Sequence, residues 1–207
     1  MNLSERPLIY VITPGGATSD KQTCSVVLDT VRMSVDEGID MVQIREKGLS
    51  GRSLFELSKA AAEIRLGSST KLLINDRADV ALAAGADGVH LTSASLPTAV
   101  IRTKFPKGFL VGVSTHSGED IGDALAAGAD FAVFGPIFES PGKTTTQGAA
   151  KLSEACYAVR PFPVLGLGGI DGTNCSSVIK AGARGVAGIR AFNDRAELRM
   201  IKEELTR

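Results

Sequence analysis

The stretch Ala81-Leu-Ala-Ala-Gly85-Ala-Asp87-Gly-Val89 recurs as Ala124-Leu-Ala-Ala-Gly128-Ala-Asp130-Phe-Ala132 and, more loosely, as Val178-Ile-Lys-Ala-Gly182-Ala-Arg184-Gly-Val186. Each copy reads as an alanine-rich helix end, a glycine, a charged residue and an apolar strand. Glycine suits the middle position because the residue after a helix often needs a positive φ, which costs glycine nothing. Glu37-Gly38-Ile39-Asp40 is a weaker fourth copy. A repeated helix-to-strand turn is the mark of a chain that alternates helices with parallel strands. The repeat marks αβ turns at the face concerned with stability, and no chemistry is assigned to it.

Working outward, short apolar runs fall at Leu8–Thr13, Met41–Arg45, Leu72–Ile74, Gly88–Leu91, Phe109–Val113, Phe131–Phe134, Val164–Gly166 and Gly185–Ala187. Runs of this kind, apolar throughout, suit parallel strands covered on both faces. Helix-length amphipathic stretches separate them, among them Thr23–Glu37, Ser53–Leu66, Gly118–Ala127 and Asn174–Lys180. Eight strand signals fill the 207 residues with no low-complexity linker. That predicts one α/β domain over 1–207, a single (β/α)8 TIM barrel, in preference to a doubly wound sheet. In such a barrel the polar residues just after each strand form the active face.

Composition narrows the function. The 23 basic and 23 acidic residues balance, so no global field points to nucleic acid or to an anionic membrane. Any phosphate affinity must be local. The three cysteines, Cys24, Cys156 and Cys175, are widely spaced and match reduced thiols of a cytoplasmic protein better than a disulfide framework or a zinc site. No apolar run approaches the roughly 18 residues of a membrane span, and the polar N-terminus predicts no signal peptide. A homo-oligomer is compatible with all of this.

The strand ends carry the candidate chemistry. Strand 2 runs into Gln43-Ile-Arg45-Glu-Lys47, where alternation sends Gln43, Arg45 and Lys47 to the barrel mouth. A guanidinium fork and an ammonium suit a di- or triphosphoryl anion, and the plain alternative is a pair of solvated cations beside Glu46. Strand 3 switches abruptly from Leu72-Leu-Ile74 to Asn75-Asp76-Arg77. Asp76 suits Mg²⁺, which takes one or two carboxylates plus substrate phosphates, and equally suits a helix cap. His90 ends strand 4 as either a packed core histidine or a catalyst. His116, after Ser114 in Gly112-Val-Ser-Thr-His116-Ser117, is the better general acid/base, with a capping role as its alternative.

The segment Phe134–Thr146 contains Ser140, Gly142 and Lys143 and reads as an active-site loop. Strands 7 and 8 lead into Gly166-Leu-Gly168-Gly169-Ile170 and Gly188-Ile189-Arg190. Phosphates in these barrels commonly sit on bare amides after the last two strands. Side-chain-free Gly168 and Gly169 permit that approach.

Taken together, these motifs, with Gly85-Ala-Asp-Gly-Val-His90-Leu91 and Phe134-Gly-Pro-Ile-Phe138, resemble the family of thiamin phosphate synthase and its relative, the thiazole tautomerase TenI, over about residues 8–192. The resemblance implies two activities. The synthase joins a pyrimidine methyl pyrophosphate to a thiazole phosphate with Mg²⁺, releasing pyrophosphate. The tautomerase aromatises a thiazole carboxylate phosphate by proton transfer and needs no metal. Carried over, Arg45, Lys47, Asn75, Ser114 and Lys143 match pyrophosphate-binding positions, and Asp76 one of two magnesium ligands. Gly168, Gly169, Ile189 and Arg190 fall where the thiazole phosphate rests on backbone amides. His116 matches the proton shuttle of the tautomerase.

This chain departs from the synthase pattern in three places. Ser95 stands where the second magnesium-binding aspartate is usual, Gly142 replaces the hydroxyl residue before Lys143, and Arg190 replaces a small serine. The first two put tautomerase chemistry ahead of synthase chemistry; retained Arg45, Lys47, Asn75, Asp76 and Lys143 pull the other way. A third reading is a regulator that binds thiazole or thiamin phosphate without turnover.

Overall fold

The computed structural model describes residues 6–140 and 145–206. Eight parallel strands close into one barrel in sequence order: β1 Leu8–Ile12, β2 Met41–Ile44, β3 Lys71–Asn75, β4 Gly88–Leu91, β5 Leu110–Thr115, β6 Phe131–Phe134, β7 Val164–Leu167 and β8 Gly185–Gly188. Closure is by β1 against β8, with Leu8 opposite Gly185 and Val11 opposite Gly188. Helices α1 Lys21–Asp36, α2 Gly51–Arg65, α3 Ala78–Ala84, α4 Thr98–Lys104, α5 Gly118–Ala126, α6 Gly148–Ala158, α7 Cys175–Lys180 and α8 Arg195–Thr206 form the outer ring. The predicted single barrel stands. Every strand falls on a predicted run, with ends shifted by a residue or two.

Strand alternation divides the core in two. Ile9, Val11, Val42, Ile74, Val89 and Val111 face outward and pack under helix residues such as Leu54, Leu57, Ile121 and Leu198. Leu8, Tyr10, Ile12, Met41, Leu73, Phe131, Val133, Leu165 and Ala187 fill the barrel itself. Phe131 meets Tyr10 edge-on, with ring centroids 5.7 Å apart. Gly112 lies opposite Phe131 in the sheet, and a Cβ there would sit inside the phenyl ring. The barrel centre therefore alternates large and small side chains.

The repeat has a structural role at the other end. Gly38, Gly85, Gly128 and Gly182 all adopt positive φ, between 63° and 96°. After Gly38, Gly85 and Gly128 an aspartate two residues later turns back onto the preceding strand. Asp40 accepts from Ile9 N (2.9 Å), Asp87 from Leu72 N (2.9 Å) and Asp130 from Val111 N (2.7 Å). Arg6, Lys71 and Arg102 pair with these carboxylates. Strand starts β1, β3 and β5 are thus satisfied by side chains from the turns before β2, β4 and β6. No helix among the described residues is long and apolar enough to cross a membrane, and the three cysteines are free thiols.

Candidate functional site

The C-terminal ends of β5 to β8 enclose a cavity of about 520 Å³. Its wall includes Ser114, His116, Ser140, Gly168, Gly169, Ile189 and Arg190, seven of the residues singled out above. Val133 and Leu167 add apolar lining, Pro136 and Glu139 come from the segment singled out after strand 6, Ala191 adjoins the Gly188–Arg190 stretch, and Asp171 is a lining residue that no sequence motif marked.

The glycine wall of this cavity is built by close packing. Gly168 and Gly169 have φ of 106° and 63°. A Cβ on Gly168 would come within 2.6 Å of Pro136 Cβ, and one on Gly169 within 2.8 Å of Phe138 Cβ. The glycines let the β7 loop lie against the β6 loop, where Leu167 and Gly168 carbonyls accept from Ile137 N (2.8 Å) and Phe138 N (3.0 Å). The N–H groups of Gly168, Gly169, Ile170, Arg190 and Ala191 have no protein acceptor among the described residues. A one-turn 3-10 helix, Ala191–Asn193, follows β8. Asn193 fixes it by bonding Ile12 O (2.8 Å) and Thr30 Oγ1 (2.9 Å), and Phe192 is fully buried beneath it. Unpaired amides held rigidly beside one cavity are what a phosphate dianion requires.

Across from this wall stands His116. Asp120 accepts from His116 N (2.7 Å) and Ser117 N (2.9 Å) in the capping box of α5, and these bonds hold its carboxyl below the usual range. The ring Nδ1 lies 2.7 Å from Gly135 O. A carbonyl only accepts, so Nδ1 carries a proton, and Nε2 is the ring nitrogen with no protein partner among the described residues.

The β2 and β3 residues form a second, deeper group. Gln43 is buried and donates to Asn75 Oδ1 (3.1 Å), while its own Oε1 has no partner among the described residues. His90 is buried in the barrel beside them: Nδ1 is 3.3 Å from the Tyr10 hydroxyl and Nε2 is 2.9 Å from Ser114 Oγ. Burial first, and the positive charge of Arg45 second, pull its pKa from 6.5 to about 3. His90 is therefore a neutral core histidine with both nitrogens bonded, the structural one of its two readings.

Several placements differ from the alternation expected of strand 2. The strand ends at Ile44, and Lys47 sits exposed in the turn beyond it. Glu46 is not a solvated partner of the cations. It is buried and accepts from Thr13 Oγ1 (2.6 Å), Gly16 N (2.8 Å) and Ala17 N (2.8 Å). Three donors to one carboxylate pull the chain toward the β1–α1 loop and end the strand. Arg45 stays beside that loop: a Cβ on Gly15 would come within 3.2 Å of its Nη1. Lys143 lies outside the described residues.

Gln43, Arg45, Lys47, Asn75 and Asp76 do not line the 520 Å³ cavity; Ser114, bonded to His90, links it to the deeper group. Asp76 and Ser95 line a separate hollow of about 380 Å³ between the β3 and β4 loops. Asp76 has a φ of 65°, and Arg77 N bonds Asn75 O across it (2.7 Å), a tight three-residue turn. Strain of this kind persists where surrounding structure enforces it, and it clusters at functional sites. The Asp76 carboxylate is exposed and makes no hydrogen bond or ion pair among the described residues. It does not cap α3, whose first residue is preceded by an Arg77 making no side-chain cap. Ser95 is committed to its own turn, accepting from Thr92 N (2.8 Å).

Fold and site together define a (β/α)8 barrel whose last two strands leave unpaired amides along a cavity that His116 also lines. The sequence profile described as thiamine monophosphate synthase matches residues 9–192, and the chain belongs to that family. It is 41% identical over 186 residues to a putative thiamine-phosphate synthase of Geobacter sulfurreducens, covering 89% of this chain and 85% of that one. It is likewise 41% identical over 166 residues to the thiamine-phosphate synthase of Methanoculleus marisnigri, covering 79% and 78%. Among solved structures, thiamine phosphate pyrophosphorylase from Pyrococcus furiosus superposes with a TM-score of 0.83 at 27% identity, over 96% of this chain and 95% of that one. The protein is a thiamine-pathway enzyme. The relatives are named for the synthase reaction and not for the tautomerase, so the order of the two expected activities is reversed.

Proposed function

We propose that this protein is a thiamine-phosphate synthase, coupling a hydroxymethylpyrimidine pyrophosphate to a thiazole phosphate. The observation that carries the reading is the row of unpaired amides at Gly168, Gly169, Ile170, Arg190 and Ala191 along one cavity wall. They grip the thiazole phosphate, while Val133 and Leu167 offer apolar surface to the ring. The pyrophosphate end then faces Ser114, Asn75 and Arg45, with Lys47 at the rim. As the C–O bond to the pyrimidine methylene breaks, these donors stabilise the negative charge gathering on the departing pyrophosphate. The thiazole nitrogen, held by its phosphate on the opposite wall, forms the new C–N bond.

Asp76 fits magnesium: a free carboxylate held outward on a strained turn, close in sequence to Asn75, suits an ion that usually takes one or two carboxylates and completes its shell with substrate phosphates. Bound there, Mg²⁺ would supply charge neutralisation for the leaving pyrophosphate. Ser95 adds no charge, so Asp76 is the sole carboxylate offered by the two aspartate positions.

The test is turnover of both substrates with Mg²⁺. Thiamine phosphate and pyrophosphate should form together, and no product under saturating substrates would refute the assignment. One observation favours a second reading. His116 presents Nε2 for proton transfer beside the phosphate wall, the arrangement a thiazole tautomerase needs. Metal-free aromatisation of thiazole carboxylate phosphate, abolished by His116→Asn, would establish it in place of the synthase.

A further inference from the structure

Tyr10, His90 and Ser114 form an unbroken chain from the barrel centre to the cavity, with spacings of 3.3 and 2.9 Å. By distance alone it resembles a serine activated by a histidine base. The direction of the bonds says otherwise. Tyr10 is fully buried, and His90 Nδ1 is its only hydrogen-bond partner among the described residues. Were Tyr10 to accept from Nδ1, its phenol proton would be buried with no acceptor, a costly state. The phenol must therefore donate to Nδ1. A neutral imidazole has one proton left, on Nε2, and it goes to Ser114 Oγ. The Ser114 oxygen is then occupied as an acceptor, and its own proton points onward into the cavity it lines.

We infer that Tyr10 and His90 are positioning residues that fix Ser114 as a one-way hydrogen-bond donor to an anionic oxygen of the substrate. This rests on the synthase reading for the identity of that oxygen, on the leaving pyrophosphate. It also excludes Ser114 as a nucleophile activated by His90, because the imidazole gives a proton to the hydroxyl and cannot take one from it. The surrounding groups agree. Phe131 and Tyr10 pack on the His90 ring at centroid distances of 6.1 and 5.8 Å, and Arg45 is the charge acting on it, so nothing nearby favours a charged imidazole.

The chain contains only two histidines, so its histidine ¹⁵N spectrum holds two rings. They should be opposite tautomers: His90 protonated on Nε2, bonded to Ser114, and His116 on Nδ1, bonded to Gly135 O. A His90 protonated on Nδ1 overturns the inference whatever the enzyme catalyses. Kinetics give the second arm. His90→Leu keeps an apolar side chain and removes the donor, and should lower kcat by about tenfold or more, as expected for a lost bond to a charged group, with KM for the thiazole phosphate little changed. His90→Gln restores an N–H toward Ser114 and should recover most of that loss. Equal activity of the Leu and Gln variants overturns the positioning role. If the wild type turns over neither substrate, the synthase reading fails, and the tautomer spectrum still decides the relay.

Discussion

Acidification provides a quantitative probe of the barrel interior through His90. Its folded-state pKa of about 3 lies below the unfolded value of 6.5. Between those values the unfolded chain binds a proton that the native state refuses, so stability falls as pH drops below about 6.5 and stops falling near 3. Each pH unit fully inside that window costs about 1.4 kcal/mol, giving about 2 kcal/mol by pH 5 and on the order of 5 kcal/mol at the acid limit. Carboxylates elsewhere also titrate, so the measurement is a difference. Denaturant unfolding of the wild type and of His90→Leu is followed from pH 7 to pH 5. The gap between the two curves should shift by about 2 kcal/mol against the wild type, since only the wild type carries this imidazole. Parallel curves would show that His90 accepts a proton in the folded state, and the burial argument would fail.

Three further outcomes follow from the geometry. Gly188→Ala places a Cβ inside the Phe192 ring and should destabilise by about 1–3 kcal/mol, read as a fall in Tm, while loosening the turn that carries Arg190. Asp130→Ala strands Val111 N and Arg102 at the far end of the barrel and should cost about 1–3 kcal/mol in denaturant unfolding, with kcat unchanged. Asp76→Asn keeps the shape and removes the charge. It should raise the Mg²⁺ concentration needed for half-maximal turnover by about tenfold or more, at least what losing even an outer-shell partner costs a metal site. An unaltered Mg²⁺ dependence would remove Asp76 as a ligand.

Much of the architecture is legible in the residue order. The four glycines of the repeat announced positive φ, and all four adopt it. The apolar runs announced buried parallel strands, since both faces of each strand are covered and neither tolerates polar residues. Local rules suffice for such features because they depend on a few consecutive residues. The repeat's aspartates show the boundary of that reasoning. Their position was read from the sequence, but that each satisfies the N–H of the second residue of the strand before it depends on which strands become neighbours.

At the site the same boundary holds. Glycine pairs after β7 and polar residues at strand ends pointed to the cavity wall, and His116, Ser114, Ser140, Gly168, Gly169, Ile189 and Arg190 do meet there. Alternation beyond Ile44 misjudged Lys47 and Glu46, because a buried carboxylate gathering three donors from another loop ends the strand. Tyr10 carried no signal at all, lying in an apolar run like any core residue. What residue order determined by itself is the period of strands and helices, the turns that need glycine, and the kinds of group available at each strand end. Which side chains share a cavity, which histidine is buried and neutral, and in which direction its hydrogen bonds run were decided only when the barrel closed. Closure brings together residues 80 positions apart, such as Tyr10 and His90, and removes the water that would otherwise let each of them choose its own partner.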